Sequence, residues 1–281
     1  MRRSTFDLTP TRASDTRFRV ATSHPGPQQV GISRDVPQVT RPRVPRFSER
    51  ASLLENMDRP DCSLKKLYRT LDQFGWINIL LSRYRTLLSR HVIRDMLHEP
   101  EREWRFVDLG AGACDITVWM VRQAAKLGLR LKVTALERDP RVIAYARAKH
   151  RDVDGLTIAA GDALDPESWE PVDYVFANHF LHHLTNGEIA RLLGLVAEHT
   201  NRVFVLNDIL RSRLAYAGYA LLMGPLGGRS FALADGLMSI RRGFLPTELQ
   251  SLLQTAGLGV PSCVETLHPF RVAVVGGPAL A

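Results

Sequence analysis

The stretch VDLGAGACD, residues 107–115, decides the fold because it joins a short apolar run to a helical pattern through two closely spaced glycines. Gly110 and Gly112 allow a tight turn and let a ligand approach the backbone closely. The helix that follows presents free N–H groups at its first turn. Such a junction is typical of ligand sites beyond the carboxyl ends of the strands in open α/β sheets.

Outward from this junction, short apolar runs alternate with helical patterns. This alternation predicts a parallel sheet with right-handed crossovers, and hence a doubly wound α/β fold over residues 101–281. The last two runs lie so close together in sequence that we expect an antiparallel hairpin at the sheet edge. The predicted strands are 105–109, 132–136, 156–160, 172–177, 202–206, 260–265 and 270–275, and the predicted helices are 116–127, 141–150, 188–199 and 247–256.

A helical lid is predicted before this domain. Residues 63–97 carry an apolar side chain at every third or fourth position. Gly75 and Trp76 mark a break in the pattern, and Asp61 or Ser63 suits the N-cap. We therefore expect residues 49–100 to form a helical pair that covers the mouth of the site.

The composition limits the class of protein. The chain has 281 residues, of which 45% are hydrophobic and 23% charged, as in ordinary globular domains. No apolar run reaches the roughly 18 to 20 residues that a membrane-spanning helix needs. The three cysteines are widely spaced and form no CxxC pair, which argues against a disulfide framework and a cysteine-based zinc site. A reducing, cytoplasmic location is therefore expected.

The net charge of +8 comes mostly from an N-terminal tail, residues 1–48, which holds nine arginines against three aspartates. This tail also contains six of the sixteen prolines and no hydrophobic periodicity, so we expect it to be disordered. A dispensable extension is the favoured interpretation. The alternative is an electrostatic tether to RNA or to an anionic membrane surface.

Acidic residues at the predicted strand ends indicate the ligand. Asp115 stands where a dinucleotide site usually has a third glycine, and with Asp108 it gives the glycine loop two carboxylates, which repel a pyrophosphate. Glu137 ends the second strand, where a carboxylate can accept both ribose hydroxyls. Asp162 ends the third strand, within reach of an adenine amino group. A nucleoside with a positive centre is implied, and S-adenosylmethionine fits that description.

Four motifs in order resemble those of class I S-adenosylmethionine-dependent methyltransferases: VDLGAGACD, the acid of TALERD, AAGDALD and VDYVFANHFLHHL. The resemblance covers roughly residues 100–275 and implies a Rossmann-like, mostly parallel sheet of seven strands with an antiparallel last strand. More narrowly, the chain resembles small-molecule enzymes of secondary metabolism that are encoded beside polyketide genes and modify phenolic lipids or quinones. The cofactor residues it implies are Asp108, Gly110, Ala111, Gly112, Asp115, Glu137, Asp162, Ala163 and Asn178.

Three histidines follow the fourth predicted strand, at the methyl end of the expected cofactor. His179, His182 and His183 are candidates for a general base, with His179 first because it is nearest the strand end. The alternative is that they pack the cofactor and the next helix. No acid or cysteine joins them locally, so no metal is expected.

The end of the fifth strand, at Asp208, and an insertion at about 209–245 supply the candidate substrate residues. Its run 214–226 is almost free of charge, which suits a hydrophobic or aromatic acceptor, with a homodimer interface or ordinary core as the alternative. Arg271, on a predicted edge strand, is interpreted as a solvated residue. The substrate candidates are Asp208, Arg211, Tyr216, Tyr219 and Met223.

The function expected from these features is methyl transfer to an oxygen or carbon of a small, apolar, phenolic or polyketide-like molecule. One rival is an RNA methyltransferase, favoured by the basic tail. Against it, the fourth-strand motif ANHF, residues 177–180, lacks the Asn/Asp-Pro-Pro-aromatic loop that grips a flipped base, and no nucleic-acid partner is expected. A second rival is a non-catalytic regulator that binds the cofactor. An NAD-dependent oxidoreductase is disfavoured by Asp115.

Overall fold

The computed structural model describes residues 46–280. Its strands are β1 (Glu103–Leu109), β2 (Arg130–Glu137), β3 (Leu156–Ala160), β4 (Val172–Asn178), β5 (Thr200–Ile209), β6 (Ser262–Leu267) and β7 (Arg271–Gly276). They form a seven-stranded sheet in the order β3-β2-β1-β4-β5-β7-β6. Strand β7 runs antiparallel to both β5 and β6, and the other neighbouring pairs are parallel.

Helices cover both faces of the sheet. Alternate residues of a strand point to opposite faces, so Phe106 joins one buried cluster while Val107 joins the other. Helices α2 to α4 pack on the Phe106 face, and α6 and α9 pack on the Val107 face. The helices are α1 (Leu64–Ile77), α2 (Tyr84–Leu88), α3 (Arg94–Met96), α4 (Asp115–Lys126), α5 (Pro140–Lys149), α6 (Asn186–His199), α7 (Arg213–Met223), α8 (Ala232–Arg242) and α9 (Pro246–Ala256).

The doubly wound fold with an antiparallel hairpin is confirmed, but the order within the hairpin corrects one prediction. Strand β7 pairs with β5 as well as β6, so β6 forms the edge and β7 lies inside the sheet. Every residue of β7 is buried. Arg271, interpreted from the sequence as solvated on an edge strand, is 5% exposed.

The lid also differs from its prediction in one respect. Helix α1 runs unbroken through Gly75 and Trp76, and the break falls at Arg83, whose φ is 58°. Gly75 is needed for close packing, because a Cβ there would lie 2.9 Å from the Asp115 carboxylate. The N-cap is Ser63, whose hydroxyl accepts a hydrogen bond from the backbone N–H of Lys66. A π-helical segment, Asn78–Ser82, joins α1 to the break.

Residues 46–57 form an extended segment, here called the N-terminal strap, that is bonded to the body of the protein. The Ala51 N–H donates to the Arg241 carbonyl over 3.0 Å, and the backbone N–H groups of Asn56 and Met57 donate to the Asp235 carboxylate. The predicted tail, residues 1–48, overlaps the strap only at residues 46–48. The rest of that tail lies outside the described residues.

Helices α7 and α8 form the insertion after β5. They pack against each other through Tyr219, whose hydroxyl donates to the Ala232 carbonyl over 2.8 Å. Gly236 makes this packing close, since a Cβ there would come within 2.3 Å of the Tyr219 ring. Within residues 46–280, none of the helices has the length and apolarity to cross a membrane.

Candidate functional site

A cavity of about 1050 Å³ opens at the carboxyl ends of β1 to β5. Its volume is at the upper end of the range for ligand sites, which leaves room for two ligands side by side. All nine residues predicted to bind the cofactor line one part of it. The lid, the strap, the insertion and the start of β7 line the remainder.

The glycine loop turns as its sequence predicts. Gly110 and Gly112 have φ values of 65° and 55°, a region that side chains other than glycine rarely adopt. A Cβ at Gly110 would lie 2.5 Å from the Phe180 ring, whereas nothing lies within 4 Å of a Cβ at Gly112. Gly110 therefore allows the Phe180 ring to pack against the loop, and Gly112 keeps space open on the cavity wall.

The carboxyl group of Asp108 is buried at the end of β1. Thr117 Oγ1 donates to its Oδ2 over 2.6 Å. Burial raises the pKa of Asp108 to about 7, and the nearby negative charge of Glu137 adds to that rise. A cationic ligand next to this group would favour its ionised form.

Glu137 and Asp162 are held by backbone donors. Glu137 Oε2 accepts from the Gly112 N–H over 2.9 Å, and its Oε1 accepts from the N–H groups of Arg138 and Asp139. Asp162 Oδ1 accepts from the Leu164 N–H over 2.9 Å. Both carboxylates are fixed on the cavity wall before any ligand arrives, which is the preorganisation that a nucleoside site needs.

Two other predicted cofactor residues also have partners. Asp115 Oδ1 lies 3.0 Å from Lys149 Nζ, an ion pair at the start of α4. Asn178 Oδ1 accepts from Asn207 Nδ2 over 2.6 Å at the end of β4.

His182 stands between two buried carboxylates. Its Nδ1 lies 2.8 Å from Asp208 Oδ1, and its Nε2 lies 3.4 Å from Glu55 Oε1, an ion-pair contact without hydrogen-bond geometry. Burial works to lower the pKa of His182, but Asp208 and Glu55 outweigh it and raise the pKa to about 9. Burial works to raise the pKa values of Glu55 and Asp208, but His182 outweighs it and lowers both. The pKa of Glu55 falls to about 2. His182 is therefore a cation at neutral pH.

The other two histidines have different environments. His179 is half-buried at the end of β4, and desolvation of its ring together with the Arg271 guanidinium holds its pKa well below the usual value. The Nη1 group of Arg271 contacts His179 Nε2. His183 Nδ1 lies 3.2 Å from Asp58 Oδ2 of the segment that follows the strap.

Glu55, His182 and His183 each place a possible metal-ligand atom within 4.8 Å of the others. A metal ion would have to displace the proton that His182 holds between its carboxylates. The geometry and the raised pKa of His182 are accounted for by an ion-pair network of Glu55, His182 and Asp208. We interpret the group as that network.

The structure places one of the five predicted substrate residues, Tyr219, on the cavity wall. The other four are engaged elsewhere. Asp208 bonds His182, and Arg211 donates to Glu248 Oε1 over 2.6 Å and to the Phe47 carbonyl. Tyr216 packs edge-on against Phe47, and Met223 is fully buried between the insertion helices and the lid.

Sequence reasoning missed Glu55, Arg242 and the buried state of Arg271, all of which line the cavity. Glu55 lies in an irregular segment with no motif around it. Arg242 donates to the His182 carbonyl over 2.9 Å, a contact that joins residues 60 positions apart. The only signal for Arg271 is that a lone arginine opens the apolar run VAVVG, residues 272–276.

The strand order, with its antiparallel β7, is that of a Rossmann-like methyltransferase sheet. Residues 106–202 match the family model described as a methyltransferase domain, and this range contains all nine residues predicted to bind the cofactor. Over that range the chain is thus similar to methyltransferase domains.

Two solved structures illustrate the shared fold. Human N-acetylserotonin methyltransferase, solved in complex with S-adenosylmethionine, is 17% identical with a TM-score of 0.54, and the match covers 76% of this chain and 56% of that chain. The CurJ carbon methyltransferase is 14% identical with a TM-score of 0.55, covering 79% of this chain and 62% of that one. The chain therefore spans about three fifths of the length of these structures. Curated proteins gave no sequence match.

Proposed function

We propose that the protein transfers the methyl group of S-adenosylmethionine to an oxygen or carbon of a small, apolar, phenolic or polyketide-like acceptor. The observation that carries this proposal is one continuous cavity, which joins the nine residues predicted to bind the cofactor to a largely apolar wall. Methyl transfer is an in-line displacement at a sulfonium, so the protein must hold donor and acceptor in contact and exclude water.

The cofactor part of the cavity suits an adenosyl group with a positive centre. Three backbone N–H groups hold Glu137 and one holds Asp162. In this proposal Glu137 accepts hydrogen bonds from the ribose hydroxyls and Asp162 accepts one from the adenine amino group. Asp108 gives the loop a carboxyl group that ionises beside a cation. When bound, S-adenosylmethionine supplies the activated methyl group.

The acceptor part of the cavity is apolar on two sides. The lid contributes Phe74, Ile77 and Leu81, and the insertion contributes Tyr219 and Ile240. Such a wall favours a flat or aliphatic acceptor over a strongly hydrated one. It also removes water from the path of the methyl group, which protects the sulfonium from hydrolysis.

Two of the three predicted histidines are not arranged as a free general base. His182 already carries a proton at neutral pH, whereas His183 contacts Asp58 through Nδ1, which does not engage its Nε2. His179 is neutral, but its Nε2 faces the guanidinium of Arg271. We therefore assign His182 to the ion-pair network and His179 to positioning Arg271.

Calorimetry with the full-length protein tests the cofactor half of the proposal. We expect S-adenosylmethionine and its product S-adenosylhomocysteine to bind, and NADH not to bind, because Asp108 and Asp115 repel a pyrophosphate. Binding of NADH alone would contradict the proposal.

Transfer of labelled methyl to a panel of phenols and polyketide-like compounds tests the acceptor half. We expect at least one of them to be methylated. Cofactor binding without turnover by any panel member would favour a regulator, and turnover of RNA alone would favour an RNA methyltransferase.

A further inference from the structure

We propose that the acceptor binds as an oxyanion, a phenolate or a carboxylate, on the guanidinium of Arg271. This inference rests on the proposed methyl transfer and names the charge state of its acceptor. It starts from a cationic side chain that is almost fully buried, lines the cavity and has no anionic partner among residues 46–280.

The donors of Arg271 are only partly used. Its Nε donates to the Leu81 carbonyl over 2.7 Å, and its Nη1 contacts His179 Nε2. Within residues 46–280, Nη2 has no hydrogen-bond partner, and no carboxylate oxygen lies within the 4.0 Å of an ion pair. A guanidinium is a planar fork that binds carboxylates and similar oxyanions through paired N–H groups. Here the outer side of that fork is left for a ligand.

The charged groups around Arg271 do not take the place of an anion. Asp208 and Glu55 both face His182, whose single positive charge offsets one of their two negative charges. Asp208 acts on Arg271 only from beyond ion-pair distance. Tyr219 donates its hydroxyl to a carbonyl, and burial raises its pKa, so it stays neutral. Arg242 adds a second buried cation on the same wall, bonded to carbonyl oxygens.

A purely structural role explains only part of this arrangement. The bond from Nε to the Leu81 carbonyl ties β7 to the π-helical segment of the lid. A neutral glutamine could make that bond at a lower desolvation cost than a buried guanidinium. Retaining a full charge at the cavity wall therefore points to an anionic ligand.

An oxyanion also removes the need for a general base. Its oxygen attacks the methyl carbon of the sulfonium with a lone pair. The carbon–sulfur bond breaks, and its electron pair stays on sulfur as the neutral thioether. An oxygen acceptor that has already lost its proton needs no general base during transfer, so none of the three histidines has to act as one.

The test uses the full-length protein loaded with S-adenosylhomocysteine, whose binding is first confirmed by calorimetry. The probe 4-nitrophenol absorbs visible light as a phenolate, so absorbance gives its pKa when bound. Benzoate and neutral benzamide form a second, matched pair that reports on a carboxylate. The variants are Arg271→Gln, which removes the charge but keeps a donor, and Arg213→Gln, which removes a charge from an exposed position on α7.

We expect the protein to lower the pKa of bound 4-nitrophenol by about 1 to 3 units, or to bind benzoate at least tenfold more tightly than benzamide. A larger effect on 4-nitrophenol would indicate a phenolate acceptor, and a larger preference for benzoate would indicate a carboxylate acceptor. Arg271→Gln should abolish the effect, and Arg213→Gln should retain it. If Arg271→Gln no longer binds S-adenosylhomocysteine, Arg271→Lys replaces it and should keep the pKa shift while weakening benzoate binding.

The inference is overturned if the loaded protein binds neither anion, if both probes bind without preference for the charged form, or if Arg271→Gln behaves as the parent. Failure of the parent protein to bind S-adenosylhomocysteine would instead contradict the proposed function. The two failures are therefore distinguishable in the same samples.

Discussion

The two halves of the cavity are built in different ways. The cofactor half is made of the carboxyl ends of β1 to β4 and of the short loops that follow them. Each of its carboxylates is fixed by a backbone N–H, by a side chain nine positions away or by an ion pair. The acceptor half brings together Glu55, His182, Asp208 and Arg271 from four separate segments. Changes in the cofactor half should therefore act locally on binding, and changes in the acceptor half should also affect the stability of the fold.

The largest expected effect is on cofactor binding by Gly112→Val. The new side chain would enter open space on the cavity wall and occupy the place of the ligand. We expect calorimetry to detect no binding of S-adenosylmethionine, while circular dichroism shows a folded protein. Gly128→Val is the matched control, because Gly128 has a φ of 72° and open space around a Cβ but lies outside the cavity. Equal loss of binding in both variants would mean that backbone strain, not blockage, is responsible.

The next largest effect is expected from Glu137→Ala. Two hydrogen bonds to a carboxylate are worth about 3 kcal/mol or more, which corresponds to roughly a hundredfold loss of affinity for S-adenosylmethionine. Glu170→Ala removes an exposed carboxylate and should leave the affinity unchanged. An unaltered dissociation constant of Glu137→Ala for S-adenosylmethionine would show that Glu137 does not bind the cofactor.

In the acceptor half, Glu55→Gln should mainly lower the free energy of unfolding. It breaks a buried ion pair with His182, at a cost of about 3 kcal/mol, measurable by urea denaturation. Because the pKa of His182 is raised in the folded protein to about 9, its contribution is complete below its unfolded value of 6.5 and is lost as the pH rises toward 9. The variant should show a smaller loss of stability over that pH range. An unchanged pH profile would mean that Glu55 does not hold the His182 proton.

The smallest effect is the pH dependence of cofactor affinity. The pKa of Asp108 is about 7 in the free protein, and a bound cation should lower it. Affinity for S-adenosylmethionine should then rise by at most about tenfold per pH unit up to pH 7 and level off above it. Asp108→Asn should flatten this dependence. If the affinity of Asp108→Asn for S-adenosylmethionine still rises with pH, a group other than Asp108 causes the pH dependence.

The same contrast explains what the sequence can and cannot predict. The strands, the glycine loop and the cavity-lining positions of the nine predicted cofactor residues follow from local patterns, because each residue's position is determined by the strand that precedes it. Four of the five substrate candidates were placed on the insertion by composition, which does not say which face of a helix meets the cavity. Arg271 was misjudged because the order of β6 and β7 depends on pairing with β5, a contact between distant segments.

Because the strap lies near the start of the described residues, its Glu55 is synthesised long before the other residues of the acceptor half. Synthesis runs from the N-terminus, so Glu55 leaves the ribosome first, and all nine residues predicted to bind the cofactor follow before Asp208. Arg271 is the last of these residues to be synthesised. Until then Glu55 and His182 lack the finished wall around them. During synthesis, the nine residues predicted to bind the cofactor are therefore all present before the acceptor half of the cavity can form.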